Sequence, residues 1–180
     1  EAYFKEVDVP YDVTIVKETE PLGTGGALGN CRDVVSGPFF CLNGDIISSL
    51  DMQVGLDLHN KNRGLGTIAL WEVDDPTRFG IVGLDESKRV TQFKEKPKPE
   101  EVFSNLINAG SYIFEEDIFD RIPEGRSSLE RDIFPTLAQE RQLNGYPFEG
   151  YFIDAGTPKS WSQGVHASIV NRRWEHGLQK

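Results

Sequence analysis

Along the first half of the chain, runs of consecutive apolar residues alternate with segments whose apolar positions recur at helical spacing. The first run, Val13 to Val16 within Asp12 to Glu18, reads as a strand. It enters a turn holding Gly23, Gly25 and Gly26, after which Ala27, Leu28, Cys31, Val34 and Val35 keep helical spacing until Gly37 and Pro38 stop them. Phe39 to Leu42 is continuously apolar, as expected of a strand covered on both faces. Asp51 is placed to cap a helix with Val54, Leu58 and His59 facing inward, ending near Asn62, Arg63 and Gly64. Thr67 to Val73 is the next strand, broken by Asp74, Asp75 and Pro76.

The second half opens with a hairpin signal: Gly80 to Leu84 and Arg89 to Phe93 flank the polar turn Asp85 to Lys88. Leu106 to Phe114 reads as a strand and Glu116 to Ile122 as a short helix. Ser127 to Glu130 has the form of a capping box, with helical sequence through Leu143 that Pro135 restarts. Tyr146 to Ile153 reads as the last strand. Beyond it, Thr157 and Pro158 suit the N-cap and first position of a closing helix carrying Trp161, Val165, Ile169 and Val170. Strands alternating with helices, plus one hairpin, predict an α/β fold: a mixed, mostly parallel sheet covered on both faces, in one domain spanning residues 1–180. The pattern leaves strand order open.

A chain of 180 residues is long enough for a real core, burying roughly 70% of the surface its unfolded form exposes. Its formal net charge of −10 speaks against nucleic acid, which calls for clustered Lys and Arg. Cys31 and Cys41 have no His or Cys at zinc-site spacing and read as buried, reduced thiols. No apolar run approaches the roughly 20 residues of a membrane span, and Glu1 to Val9 shows no signal-peptide pattern. The expectation is a cytoplasmic protein with no membrane partner. His59, His166 and His176 do not cluster and suit surface or helix-face roles. Trp174 on the closing helix can pack on its own domain or on a second copy, so a homo-oligomer stays open.

Three features carry chemistry. The glycine turn lets backbone N–H groups approach an anion at a helix start. Asp45 and Asp154 each stand at the end of an apolar strand, where open α/β sheets place ligands. Alone, either is as readily a helix cap; as a pair they suit Mg²⁺, which takes one or two carboxylates and leaves its other positions to phosphate oxygens and water. Lys96 reads either as a phosphate ligand or as a solvated partner of Glu95, and Glu95 can accept from sugar hydroxyls. Asn108 to Gly110 reads first as a small-residue strand that packs closely, and second as a site where Asn108 meets a polar ligand. Ser127 and Ser128 have no associated base and fit a cap better than a nucleophile.

In order, Glu18 with Pro21 to Ala27, Leu42 to Asp45, Arg78 to Val82, Phe93 to Pro97, Ile107 to Gly110, Ser128 to Glu130 with Phe134 and Pro135, and Phe152 to Pro158 resemble the landmarks of the sugar-1-phosphate nucleotidyltransferases. The resemblance runs from about Val13 to about Trp161 and implies a Rossmann-like sheet of the nucleotide-diphospho-sugar transferase type. It implies that Glu18, Gly23, Thr24 and Gly25 line the base pocket and that Asp45 and Asp154 hold Mg²⁺. It further implies that Gly80, Glu95 and Asn108 serve the sugar and that Lys96 binds its phosphate. The implied partners are a nucleoside triphosphate and a sugar 1-phosphate, mannose or heptose with GTP or glucose with dTTP or UTP, joined with release of pyrophosphate.

Family members open with a first strand and a Gly-Gly-x-Gly-Thr-Arg-Leu loop, and nothing in Glu1 to Tyr11 matches it. The chain is therefore expected to begin after that element and to lack part of the nucleotide grip. That departure keeps a non-catalytic nucleotide-sugar-binding or regulatory homologue in view. A nucleotide-sugar-dependent glycosyltransferase is a third reading, weakened because Asn43-Gly44-Asp45 supplies one carboxylate where Asp-x-Asp is usual. A dinucleotide-binding dehydrogenase is the weakest, since the third glycine of its fingerprint is missing.

Overall fold

The computed structural model describes Phe4, Glu6 and residues 9–158, 160–162 and 164–166. In chain order its elements are α1 (Gly23–Gly29), β1 (Phe39–Leu42), β2 (Ile46–Ser48), α2 (Met52–Asn62), β3 (Gly66–Glu72), β4 (Gly80–Leu84), β5 (Val90–Glu95), β6 (Leu106–Phe114), α3 (Phe134–Gln139), β7 (Leu143–Pro147) and β8 (Phe152–Asp154). A π-helical turn, Leu129–Ile133, leads into α3. β6 is the longest strand among the described residues and is buried without a break from Ala109 to Phe114. β3 pairs with it along one side. On the other side Ile107 pairs with Ile81 of β4, while Ser111 to Phe114 pair with β1. β5 extends the sheet beyond β4, and β7 lies parallel to β3 at the opposite edge. β2 and β8 form a separate antiparallel ribbon.

The change of partner along β6 happens at a kink. Gly110 has φ +65, and Asn108 Oδ1 accepts from Gly110 N at 3.0 Å. Asn43 N donates to Gly110 O at 2.8 Å, which brings the turn after β1 against the kink. β3 answers with a register shift between Ile68 and Leu70. Bulges of this kind bend a sheet and re-aim side chains near sites.

Both faces are covered because side chains alternate across the sheet. On one face Gly55 of α2 packs so closely that a Cβ there would come within 3.1 Å of the Tyr146 ring and 3.5 Å of Ile113. On the other, Phe134 of α3 meets Phe93, Tyr112 and Phe114 at centroid separations of 5.3, 5.5 and 6.3 Å. Asp51 caps α2 by accepting from Gln53 N and Val54 N.

The α/β class, both-face coverage and the β4–β5 hairpin are as expected, and several details differ. The described pairs are antiparallel except β3 with β7, because β1, β3 and β4 all run against β6. Residues 12–18 form no strand, and Val13 and Ile15 are exposed, since no described segment supplies a ladder beside them. β1 is not covered on both faces: Phe40 and Leu42 are exposed. The inward positions of α2 are Gly55 and His59, while Val54 is exposed. The helical run after the glycine turn stops at Gly29 and gives way to a 3-10 turn, Arg32–Val34. The expected last strand is two strands, β7 and β8, joined through Phe148 to Tyr151. Ser128, not Ser127, caps the π-helical turn, its hydroxyl accepting from Arg131 N.

Thr157 does cap helical backbone at 160–162 and 164–166, and Trp161 there is 61% exposed. Ile169, Val170, Trp174 and His176 lie outside the described residues. Among the described residues no helix is long and apolar enough to cross a membrane.

Two glycines with similar backbone separate the conformational term from the steric one. Gly37 (φ +67) has open space where a Cβ would go, whereas a Cβ at Gly110 would lie 2.7 Å from Asn43 Nδ2. Gly37→Ala is expected to cost about 1 kcal/mol and Gly110→Ala at least about 2 kcal/mol, read from urea unfolding midpoints. Equal costs would show that the kink tolerates a side chain.

Candidate active site

The β2–β8 ribbon sets the two strand-end aspartates side by side. Ile46 pairs with Asp154, and Ala155 N donates to Asp45 O at 2.7 Å. A Cβ on Gly156 would lie 3.0 Å from Asp154 Oδ1 and 3.3 Å from Asp45 Oδ2, so both carboxylates converge over that glycine. Gly156 N donates to Asp154 Oδ1 at 2.9 Å and fixes its direction. Among the described residues no third His, Cys, Asp or Glu joins them. Two carboxylates with open positions beside them are a donor set that fits Mg²⁺.

Asp154 also borders a cleft of about 420 Å³ whose walls include Trp71, Arg78, Phe79, Phe152 and Thr157. Trp71 and Phe152 stack with centroids 6.2 Å apart. Sequence reasoning assigned no role to Trp71, Arg78 or Phe152. The patterns Arg78 to Val82 and Phe152 to Pro158 pointed to that wall without giving these three side chains a role, because an aromatic in a strand is indistinguishable from core without its neighbours.

Next to the cleft-lining Phe79 in sequence, Gly80 of β4 pairs opposite Glu95 of β5. A Cβ at Gly80 would lie 2.6 Å from the Phe93 ring and 2.9 Å from Glu95 Oε2, so only glycine leaves room for that carboxylate. Burial, then the Glu130 charge, pushes the Glu95 carboxyl above the usual range, with Lys96 and Arg131 offsetting part of this. Lys96 sits at φ +46 and donates its N–H to Phe79 O at 2.9 Å. Its ammonium, on a side chain 61% exposed, is 3.8 Å from Glu95 and reaches outward. Asn108 is committed internally: Nδ2 donates to the Tyr112 hydroxyl at 2.9 Å and Oδ1 accepts from Gly110 N.

The structure gives the glycines of α1 a close-packing role. Gly25 N and Gly26 N both donate to Ser127 O, at 3.0 and 3.3 Å. A Cβ at Gly23 or Gly25 would meet Ser127 at 2.5 or 2.6 Å, and one at Gly26 would strike Gly125 O. These residues are small because α1 lies directly on residues 125–127. Thr24 donates its hydroxyl to Glu130 Oε2 at 2.6 Å and accepts from Leu129 N. Glu18 is exposed, and its charge helps burial raise the Cys31 thiol. Burial, followed by Cys31 and Glu130, pushes Cys41 up to about 11, so both unpaired thiols are protonated at neutral pH.

This sheet, with carboxylates converging at strand ends beside a cleft, defines an α/β protein of the nucleotide-diphospho-sugar transferase type. The chain belongs to the family described as Nucleotidyl transferase, whose model matches residues 2–168. It is 40% identical over 176 residues to "Probable mannose-1-phosphate guanylyltransferase 3" of Arabidopsis thaliana, covering 95% of this chain and 52% of that protein. It is 38% identical over 168 residues to the mannose-1-phosphate guanyltransferase of Saccharomyces cerevisiae, covering 91% and 45%. The chain thus spans about half the length of the curated relatives it matches.

Among solved structures, HddC from Yersinia pseudotuberculosis superposes with a TM-score of 0.74 at 28% identity, covering 92% of this chain and 71% of that one. A putative glucose-1-phosphate thymidylyltransferase from Bacillus anthracis gives 0.69 at 27% identity, covering 79% and 59%.

The raised Glu95 carboxyl has a consequence for stability. Above the ordinary value of 4.5, the folded state holds this proton more tightly than the unfolded chain, so folding stability falls as pH rises from there through the folded value. Glu95→Gln is expected to flatten that fall and to be more stable than wild type above it. Urea unfolding between pH 4 and pH 8 measures this; parallel curves for the two proteins would remove the assignment.

Proposed function

We propose that this chain forms the sugar- and base-binding body of a sugar-1-phosphate nucleotidyltransferase acting on GTP and mannose 1-phosphate. The observation that supports this most is the convergence of Asp45 and Asp154 over Gly156 at the mouth of a cleft with Arg78 in its wall. The names of the curated relatives favour guanine and mannose over the thymidylyl and uridylyl alternatives. A solved complex of HddC with GMP-PN, at 27% identity, agrees with a guanine nucleotide.

In this reading a phosphate oxygen of the sugar 1-phosphate attacks the α-phosphorus of the nucleotide. The bond from that phosphorus to the bridging oxygen breaks, and pyrophosphate leaves with the electron pair. The nucleophile is already an anion, so no general base is needed and positioning two anions is the main task. Mg²⁺ held by Asp45 and Asp154 would supply charge neutralisation on the phosphate oxygens. Lys96 directs its ammonium at the sugar phosphate. Glu95 accepts from sugar hydroxyls in the space that Gly80 leaves free, and Asn108 holds the strand kink that lines the same subsite. Glu18, Gly23, Thr24 and Gly25 border the nucleotide. Two protonated, unpaired thiols suit a reducing compartment, and we place the protein in the cytoplasm.

Pyrophosphate release by the intact gene product, over a grid of nucleoside triphosphates and sugar 1-phosphates, is the direct test. GTP with mannose 1-phosphate is expected to be the best pair, and a grid with no turnover at all would reject the activity. Asp45→Asn and Asp154→Asn should each lower kcat by about a hundredfold or more, with circular dichroism unchanged. Lys96→Ala should raise KM for the sugar 1-phosphate about tenfold while KM for the nucleotide moves less than about twofold. The reverse split would assign Lys96 to the nucleotide.

A further inference from the structure

Lys96 stands in a backbone conformation that its own sequence opposes. Its φ of +46 lies in the left-handed region, which residues with a Cβ adopt rarely, and Pro97 directly after it favours extended backbone instead. Such a conformation persists where neighbouring contacts impose it. Here the contact is the hydrogen bond that Lys96 N donates to Phe79 O at 2.9 Å. Phe79 is itself held, because it closes a turn in the connection from β3 to β4. Its N–H donates to Pro76 O at 3.0 Å, and Pro76 is buried. Asp75 clasps the start of that turn: its Oδ1 accepts from Thr77 N at 3.1 Å and from the Thr77 hydroxyl at 2.7 Å. The Thr77 hydroxyl, then its N–H, hold the Asp75 carboxyl below the usual carboxylate range, so it is ionised throughout the neutral range. A continuous path of hydrogen bonds and turn backbone therefore runs from the Asp75 carboxylate through Thr77 and Phe79 to Lys96.

Resting on the assignment of Lys96 to the sugar phosphate, we propose that Asp75 is a positioning residue for that ammonium. The Asp75 clasp fixes the turn, the turn fixes Phe79 O, and Phe79 O keeps Lys96 in its left-handed conformation. With the clasp open, Phe79 O shifts and Lys96 relaxes toward the extended backbone that Pro97 favours. That relaxation swings the Lys96 side chain to a new direction and takes the ammonium off the phosphate. β5 stays in place, because its pairing with β4 continues to Glu95 opposite Gly80. The loss is therefore confined to the phosphate contact of Lys96, and Asp75 itself touches no substrate.

The test is steady-state kinetics of the intact gene product with GTP and mannose 1-phosphate. Asp75→Ala is expected to raise KM for mannose 1-phosphate about 3- to 10-fold while KM for GTP moves less than about twofold. Asp75→Asn keeps an oxygen acceptor for Thr77 and should stay within about twofold of wild type. The deciding readout is the double-mutant cycle with Lys96→Ala. Because Asp75 acts through Lys96, Asp75→Ala should change KM for mannose 1-phosphate by less than about twofold once the ammonium is gone. A turn that serves only stability predicts the same factor in both backgrounds, and that result would overturn the proposal. Thr77→Val removes the hydroxyl arm of the clasp and leaves the N–H arm; should Asp75→Ala fail to fold, Thr77→Val carries the same cycle with the same non-additivity expected. If Lys96→Ala leaves KM for mannose 1-phosphate unchanged, the assignment of Lys96 falls and the role of Asp75 with it. If Lys96→Ala raises that KM and Asp75→Ala does not, the role of Asp75 alone falls.

Discussion

The rest of the structure depends on the kink in β6. A straight strand pairing with one neighbour along its whole length would leave no opening in the sheet. Gly110 in the left-handed region, held by the Asn108 side chain and by Asn43 N, ends the pairing with β4 and starts the pairing with β1. The turn Asn43-Gly44-Asp45 leaves the sheet at that gap, and β2 immediately follows to pair with β8. The aspartate pair is therefore a consequence of sheet geometry: Asp45 arrives from the kink, Asp154 from the ribbon, and Gly156 keeps the space between them clear. Asn108 contributes one donor and one acceptor of its amide to holding this bend.

Much of this was legible in the chain because local patterns and tertiary contacts agree. The β4–β5 hairpin, β3, β6 and the Asp51 cap all follow from spacing and turn chemistry, and the ordered motifs identify the family. What was not legible shares one cause: the pattern reports that a residue is apolar or small without saying which neighbour requires it. Val13 and Ile15 have a strand's alternation but no described strand to pair with. Phe40 and Leu42 look like core and lie on an open edge. Gly23, Gly25 and Gly26 look like a phosphate turn, yet their described role is to let a helix lie on Ser127, and two of their N–H groups are spent there. The paired aspartates were legible as strand ends, but their convergence depends on the β2–β8 register, which no local signal encodes. Trp71 and Arg78 join the site only because β3 and the turn before β4 meet β8 across the cleft.

The charge balance brings fold and chemistry together. The chain carries a formal net charge of −10, and the proposed reaction would require it to attract two anions. Acidic residues away from the cleft lining include Glu100 and Glu101 and Glu115 to Asp117, several of these held by local hydrogen bonds or ion pairs. Inside the site each carboxylate is managed differently. The Glu95 carboxyl is pushed up by burial and by Glu130, Glu130 is occupied by two hydroxyl donors, and Asp154 accepts a backbone N–H. Asp45 and Asp154 still face each other across Gly156 and together would repel a polyphosphate at any salt concentration that leaves near contacts unscreened. Under the proposed function, a divalent cation held by Asp45 and Asp154 would invert that field and make the pair attractive to phosphate. In that reading, cation and nucleotide affinity would be linked through this pair. Arg78 places a cation in the cleft wall from the turn before β4, and in the proposed reading Lys96 would add a second from the end of β5.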